Sequence, residues 1–207
     1  EEKLQTVPVA VTAFTAADYL KPDGVMYHTH PSLKDEKDRQ RLWQGLDDGT
    51  LSTMATDESC TPKAIKVSGQ TILDTVGGQV GVETRVAIAY TEGVVKRGHS
   101  LEHFANIIST NAARLCGMYP QKGAIQEGSD ADITIIDPSV RRVLRAADLH
   151  DSDYSIWEGW EVHGWPSMTL LRGQVAVEDG TFKLESPVGR PVMNRKLDRQ
   201  LQDGPRL

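Results

Sequence analysis

Cysteine is scarce: the 207-residue chain has two, Cys60 and Cys116. Two thiols cannot staple a small secreted fold, and they suit a reducing compartment, so a cytoplasmic protein is expected. No apolar run approaches the ~20 residues of a membrane span, and no secretory signal is expected. Basic charge is also short. Lys and Arg number 23 against 29 Asp and Glu, which gives a formal net charge of -6. Nucleic acid and anionic membrane are therefore poor partners. The sequence has no internal repeat, low-complexity tract or flexible linker. It also lacks an initiator Met: the polar start Glu1-Glu2-Lys3-Leu4-Gln5 is expected to follow a cleavage or to lie inside a longer chain. What is present is ordinary globular composition, 39% hydrophobic and 25% charged, at a length for one domain or one and a half.

The chain is organised around Leu51-Ser-Thr-Met-Ala-Thr-Asp57-Glu58-Ser-Cys60. Residues 51–56 are small, apolar or β-branched and suit a short buried strand. Asp57 and Glu58 then place two carboxylates at its end. A charge there is costly unless something pairs with it, and the carboxyl ends of parallel strands are where ligands and catalytic groups collect in α/β folds. Asp57 thus reads in two ways: as a metal-ligating or proton-moving carboxylate, buried and facing a cation, or as a strand-ending Asp that caps a turn.

Upstream, Thr6–Phe14 (TVPVAVTAF) reads as a buried strand. After the turn signal Pro22-Asp23-Gly24 come His28 and His30, which an extended chain would turn to one side. Two imidazoles so placed suit a shared metal or a polar pocket rim. Lys34–Leu46 predicts a charged helix with Leu42, Trp43 and Leu46 on its buried edge. Strand, helix, strand in this order is a βαβ unit with parallel strands.

Downstream, residues 62–81 read as a loop centred on Gly77-Gly78, where paired glycines let a backbone approach a ligand or make a tight turn. A helix is expected over 82–97 with Val82, Val86, Ala89, Tyr90 and Val94 on one face, and Ser100 is placed to cap the next. His99 and His103 are four apart, but His99 precedes that cap, so both are read as structural or surface groups. From Gly117 the pattern turns to short β runs near 123–125, 131–138, 167–171 and 174–177, split by turns such as Arg172-Gly173 and Asp179-Gly180: a small β-sandwich. An aromatic loop, 154–160, suits an interface or a buried core edge. The basic tail from Pro187, with Arg190, Arg195, Lys196 and Arg199, reads as an arm on another subunit or a loose end.

Residues 117–138, GMYPQKGAIQEGSDADITIIDP, with Ser109-Thr-Asn-Ala-Ala113 before them, resemble the C-terminal signature of the amidohydrolase superfamily. Gly77-Gly78, Gly81-Val-Glu-Thr-Arg85, Tyr90-Thr-Glu-Gly93, Asp153-Tyr-Ser155 and Gly164-Trp-Pro166 narrow the resemblance to the cyclic amidases: hydantoinases, dihydropyrimidinases, allantoinases and dihydroorotases. It implies an α/β fold. Residues 1–116 would be the C-terminal part of a (β/α)8 TIM barrel, holding its last two strands; 117–185 would be the β-sandwich portion, and 186–207 the arm.

The resemblance implies hydrolysis of a cyclic amide, imide or ureide C–N bond at a divalent metal, zinc by the family pattern. The centre would be binuclear, with a carboxylated Lys on the part absent here. Asp57 matches the family's last metal-ligating Asp, which also moves the proton to the leaving nitrogen. Gly77, beside Gly78, matches a substrate-binding backbone position, and His30 stands where the family has a substrate-contacting Ser. Glu58 replaces the usual His after the Asp, and Phe14 replaces an acidic residue before strand seven's Thr. His28 and His30 fall at the wrong place to be the first-strand His-X-His. Two strands cannot close a barrel. A second polypeptide supplying the other strands is therefore expected, with further homo-oligomerisation and a small-molecule substrate. The alternative is a non-catalytic scaffold or assembly protein of the same fold.

Overall fold

The computed structural model describes residues 5–69, 71, 73–150, 152–193 and 195. Glu1–Leu4, and Lys196 and Arg199 of the expected arm, lie outside them. β1 (Thr6–Pro8) and β2 (Thr53–Ala55) form a parallel pair, with Val7 opposite Met54. The strand expected over 6–14 is shorter than its composition suggested. After Pro8 the chain winds into a 3-10 turn, Ala10–Thr12, in which Thr12 Oγ1 donates to Val9 O at 2.8 Å. Pro8 has no N–H for a ladder, and a Thr hydroxyl that bonds locally competes with sheet pairing.

The helix between the strands, α1 (Glu36–Asp47), starts where Asp35 accepts from Asp38 N at 3.0 Å. Trp43 and Leu46 are buried, and Leu42 packs against the core from its edge, as the helical spacing required. Trp43 Nε1 donates to Thr12 O at 2.8 Å, which ties α1 to the turn after β1. The expected βαβ unit is therefore present.

Residues 62–81 hold a short helix, α2 (Lys63–Lys66). α3 (Arg85–Ala89) follows and runs directly into a π-helical stretch, Tyr90–Val95. Ala89 is buried and Val86, Tyr90 and Val94 pack against the core as the expected face required, but Val82 is 58% exposed, and Ala87 and Ile88 are buried as well. The Glu58 carboxylate holds the N–H groups of Gly81 and Val82, so the helix begins only at Arg85. The π winding then rotates Thr91, Glu92 and Gly93 inward. Thr91 Oγ1 donates to Ala87 O at 2.7 Å and accepts from His163 N at 2.9 Å. Buried Glu92 closes on Lys96 at 2.6 Å and Arg97 at 2.9 Å. Ser100 caps α4 (Leu101–Ala105) as expected, accepting from His103 N. A second π stretch, Asn106–Thr110, and α5 (Asn111–Leu115) complete this helical run.

β3 (Ile133–Val143), β4 (Glu161–Leu171), β5 (Gln174–Glu178) and β6 (Thr181–Phe182) form one antiparallel sheet in that order. Its two tight hairpins turn at Arg172-Gly173 and Asp179-Gly180, all four residues having positive φ between 48° and 79°. That is the backbone twist short hairpins favour. Residues 123–125 form no strand, and Ile125 is exposed. Among the described residues this sheet has no second sheet facing it, so the sandwich is represented by one layer.

The aromatic loop is buried rather than displayed. Trp157 and Tyr154 belong to the core, and Phe14 meets Trp157 at 4.7 Å and Trp160 at 5.2 Å between ring centroids. These rings join the turn after β1 to the antiparallel sheet. No helix among the described residues is long and apolar enough to cross a membrane.

Candidate active-site rim

Asp57 stands two residues beyond β2, at the carboxyl end of the parallel pair, with φ at 53°. Asp tolerates that left-handed conformation better than most residues. Its carboxylate is exposed and has no hydrogen bond or ion pair among the described residues. The expectation of a buried Asp57 is thus corrected for this chain on its own. Leu51, Ser52, Thr53 and Met54 behind it are buried, but nothing among the described residues covers the carboxylate.

Glu58 points elsewhere. Its Oε2 accepts from Gly81 N at 2.8 Å and from Val82 N, and its Oε1 accepts from Cys60 Sγ at 2.7 Å. It fixes the start of the segment leading into α3. Adjacent carboxylates in the sequence therefore have separate tasks, one free and one structural.

Next to Asp57 the chain pairs with the glycine loop. Glu58 bridges Gln79 in parallel fashion, and Ser59 N donates to Gln79 O at 3.0 Å. Gly78 has φ of 94°, and a Cβ there would meet Ser59 Cβ at 2.5 Å. At Gly77 a Cβ would meet the His30 ring at 2.3 Å. His30, Gly77 and Gly78, far apart in sequence, are thus brought together with the backbone of residues 57–59. His28 lies against His30, with ring centroids 4.7 Å apart and planes at 81°. His28 follows a 3-10 turn, Gly24–Tyr27, rather than lying in an extended run, so the rings meet edge to face. Both His28 ring nitrogens are buried without a partner, and burial with the neighbouring His30 and Lys66 pushes its pKa down. His28 is a neutral ring at neutral pH.

The residue sequence reasoning missed is Lys66. It is fully buried, and its ammonium spends all three donors on carbonyls: Gly78 O at 2.6 Å, His28 O at 2.7 Å and Val76 O at 2.8 Å. One buried cation therefore fixes the glycine loop and the histidine segment to each other. Desolvation lowers its pKa to about 8. Gln79 Nε2 adds a bond to Tyr27 O at 2.8 Å. A lone Lys in a Ser- and Gly-rich loop reads as solvated, and three backbone acceptors from distant segments leave no pattern in sequence.

This rim has one free carboxylate, a backbone cradle at Gly77-Gly78 and the His30 edge. It can offer one oxygen ligand to a cation and backbone groups to a small polar molecule. One carboxylate is a partial fit to a metal centre, which takes further ligands. The other edge of the pair is also unfilled: a groove of about 380 Å³ runs along β1, lined by Thr6, Val7, Pro8, Val11, Phe14 and Leu42 among others.

Comparison with known proteins gives one family. Residues 6–176 match the model of the amidohydrolase family. D-phenylhydantoinase of Escherichia coli O1:K1 / APEC is 36% identical over 176 residues, which is 83% of this chain and 38% of that protein. A solved D-hydantoinase is similar with a TM-score of 0.84 at 34% identity, covering 87% of this chain and 40% of that one. Dihydropyrimidinase from Brevibacillus agri NCHU1002 gives 0.83 at 34% identity, covering 86% and 40%. The L-hydantoinase (dihydropyrimidinase) from Arthrobacter aurescens gives 0.79 at 31% identity, covering 87% and 40%. The chain spans less than half the length of these relatives.

Proposed function

The chain belongs to the amidohydrolase family, in its cyclic amidase branch, and from that premise we propose that it forms the last part of a metal-dependent hydrolase opening cyclic amide, imide or ureide rings. The supporting observation is an unpartnered carboxylate, Asp57, at the carboxyl end of a parallel pair whose two outer edges are open among the described residues. On this reading the remaining barrel strands lie outside this sequence, on a second polypeptide, and dock against the β1 groove and the free edge of β2. The antiparallel sheet would gain its facing layer from the same source, and the completed particle would assemble further with copies of itself.

Asp57 would hold the metal, zinc in this proposal, together with ligands the chain does not carry. A divalent metal, when bound, supplies a water deprotonated near neutral pH. Asp57 accepts that proton on a carboxylate oxygen and returns it to the departing ring nitrogen, which cannot leave as an anion. Gly77 and Gly78 offer backbone groups to the ring amide. Having no side chain, Gly77 lets the His30 edge close on the same space. Lys66 keeps that cradle in register without touching substrate.

The test is metal analysis of the purified assembly. The expected result is a divalent metal dependent on Asp57, with hydrolysis of a hydantoin or dihydropyrimidine ring; that metal and the hydrolysis are both lost in Asp57→Ala while assembly persists. An intact assembly that binds no metal sensitive to Asp57→Ala would overturn the reading in favour of a scaffold.

A further inference from the structure

His99 and His103 resemble metal spacing in sequence, yet only His103 is inside α4. Folding brings them together nevertheless. His99 N donates to Gly93 O at 3.1 Å, which bends the chain back just before the Ser100 cap. The two rings then lie 4.8 Å apart. Asp47, the last residue of α1, completes the group, its Oδ1 2.8 Å from His99 Nε2. One ligand atom from each of the three lies within 4.8 Å of the others.

We propose that Asp47, His99 and His103 form a structural site for a divalent zinc-class cation, with water in the fourth position, separate from the Asp57 centre. Separation follows from topology. α1 returns between two parallel strands, so its end, at Asp47, adjoins the start of β2, whereas Asp57 follows the end of β2. In a barrel the two ends are opposite faces, and the face away from the active site serves stability.

The chemistry of the set suits the ion. Two imidazoles and a carboxylate are ordinary zinc ligands at about 2.0–2.2 Å, which places donor atoms some 3.3 Å apart in a tetrahedron. The widest pair must close by about 1.5 Å and the Asp47–His99 pair open by about 0.5 Å. Asp47, with its side chain half exposed, is free to swing. The His99 side chain is 10% exposed, and its Nδ1 is buried with no hydrogen-bond partner. His103 Nε2 is buried with no hydrogen-bond partner, a polar atom that an ion or its water would satisfy. The nearest cation, Arg97, lies 4.0 Å over the Trp43 ring and is held at 2.9 Å by Glu92, which offsets its repulsion. A cation here would clamp the end of α1 to the start of α4.

The experiment strips the full chain, in the assembly in which it purifies, with a chelator and titrates it with Zn²⁺ or Co²⁺ alone. One equivalent per chain is expected to survive Asp57→Ala, to raise the unfolding temperature, and to give the absorption of tetrahedral Co²⁺. His103→Gln and Asp47→Ala should each weaken that equivalent at least tenfold while leaving unfolding in chelator unchanged. Unaltered binding in the His103→Gln, Asp47→Ala double variant would overturn the proposal. So would a wild-type chain whose every bound ion is lost with Asp57→Ala. A wild-type assembly that binds this equivalent but no Asp57-dependent ion would count against the hydrolase and not against this site.

Discussion

At the scale of single residues the rim depends on Lys66. Each of its carbonyl acceptors would otherwise face a partly dry interior, and an unsatisfied buried group costs about 1–3 kcal/mol. Lys66→Met should therefore lower the unfolding free energy by about 1–3 kcal/mol in urea titration. In the completed enzyme it should raise KM more than it lowers kcat, because the cradle loosens while Asp57 stays. The pH dependence has a definite sign. The folded pKa is lowered to about 8 from 10.5, so between these values the unfolded chain binds the extra proton. Stability conferred through this group thus increases as pH rises from about 8 toward 10.5 and is least below 8. Lys66→Met should flatten that limb of the stability–pH curve. Gly77→Ala is expected to destabilise the loop and impair substrate binding, because a Cβ would lie 2.3 Å from the His30 ring; comparing KM of the two assemblies checks it. Asp57 was legible because a carboxylate ending an apolar strand is conspicuous. Lys66 was not, because its acceptors are backbone carbonyls that any residue carries.

At the scale of elements, periodicity was informative where packing is one-sided and failed where local bonds intervene. α1 follows its pattern: Trp43 and Leu46 face the core and charged residues face out. Trp43→Ala should cost about 3–5 kcal/mol, since it removes a large buried ring together with its bond to Thr12 O. Thermal and urea unfolding measure this directly. The segment into α3 departs from its pattern because Glu58 captures two N–H groups before the helix can start. Glu58→Ala should cost about 1 kcal/mol, as loss of a helix cap does, and a measured change near zero would show that the two bonds carry no stability. Strand length was overestimated after β1 and underestimated in β3 and β4. In β1 a proline and a Thr hydroxyl end the pairing. β3 and β4 pair through bulges that a strict alternation does not anticipate. The hairpin turns were legible, since Arg-Gly and Asp-Gly supply the positive φ that such turns require.

At the scale of the molecule, the parallel pair has two unpaired edges among the described residues, and one antiparallel sheet has an uncovered face. Ile125, Phe182 and Val143 are exposed, as they would be in a structure that meets further protein. The Asp57 carboxylate is exposed, and on the proposed reading further protein would surround it. Sequence order identified the βαβ unit and the β region behind it, while the contacts joining them, through Phe14, Trp157 and Trp160, depend on three-dimensional closure. The most direct test of the central claim is the rate of ring opening of a hydantoin by the metal-loaded assembly containing this chain, measured beside Asp57→Asn. The account predicts turnover that falls at least a hundredfold in the variant, with metal content and assembly examined in parallel. Undiminished turnover in Asp57→Asn would contradict it.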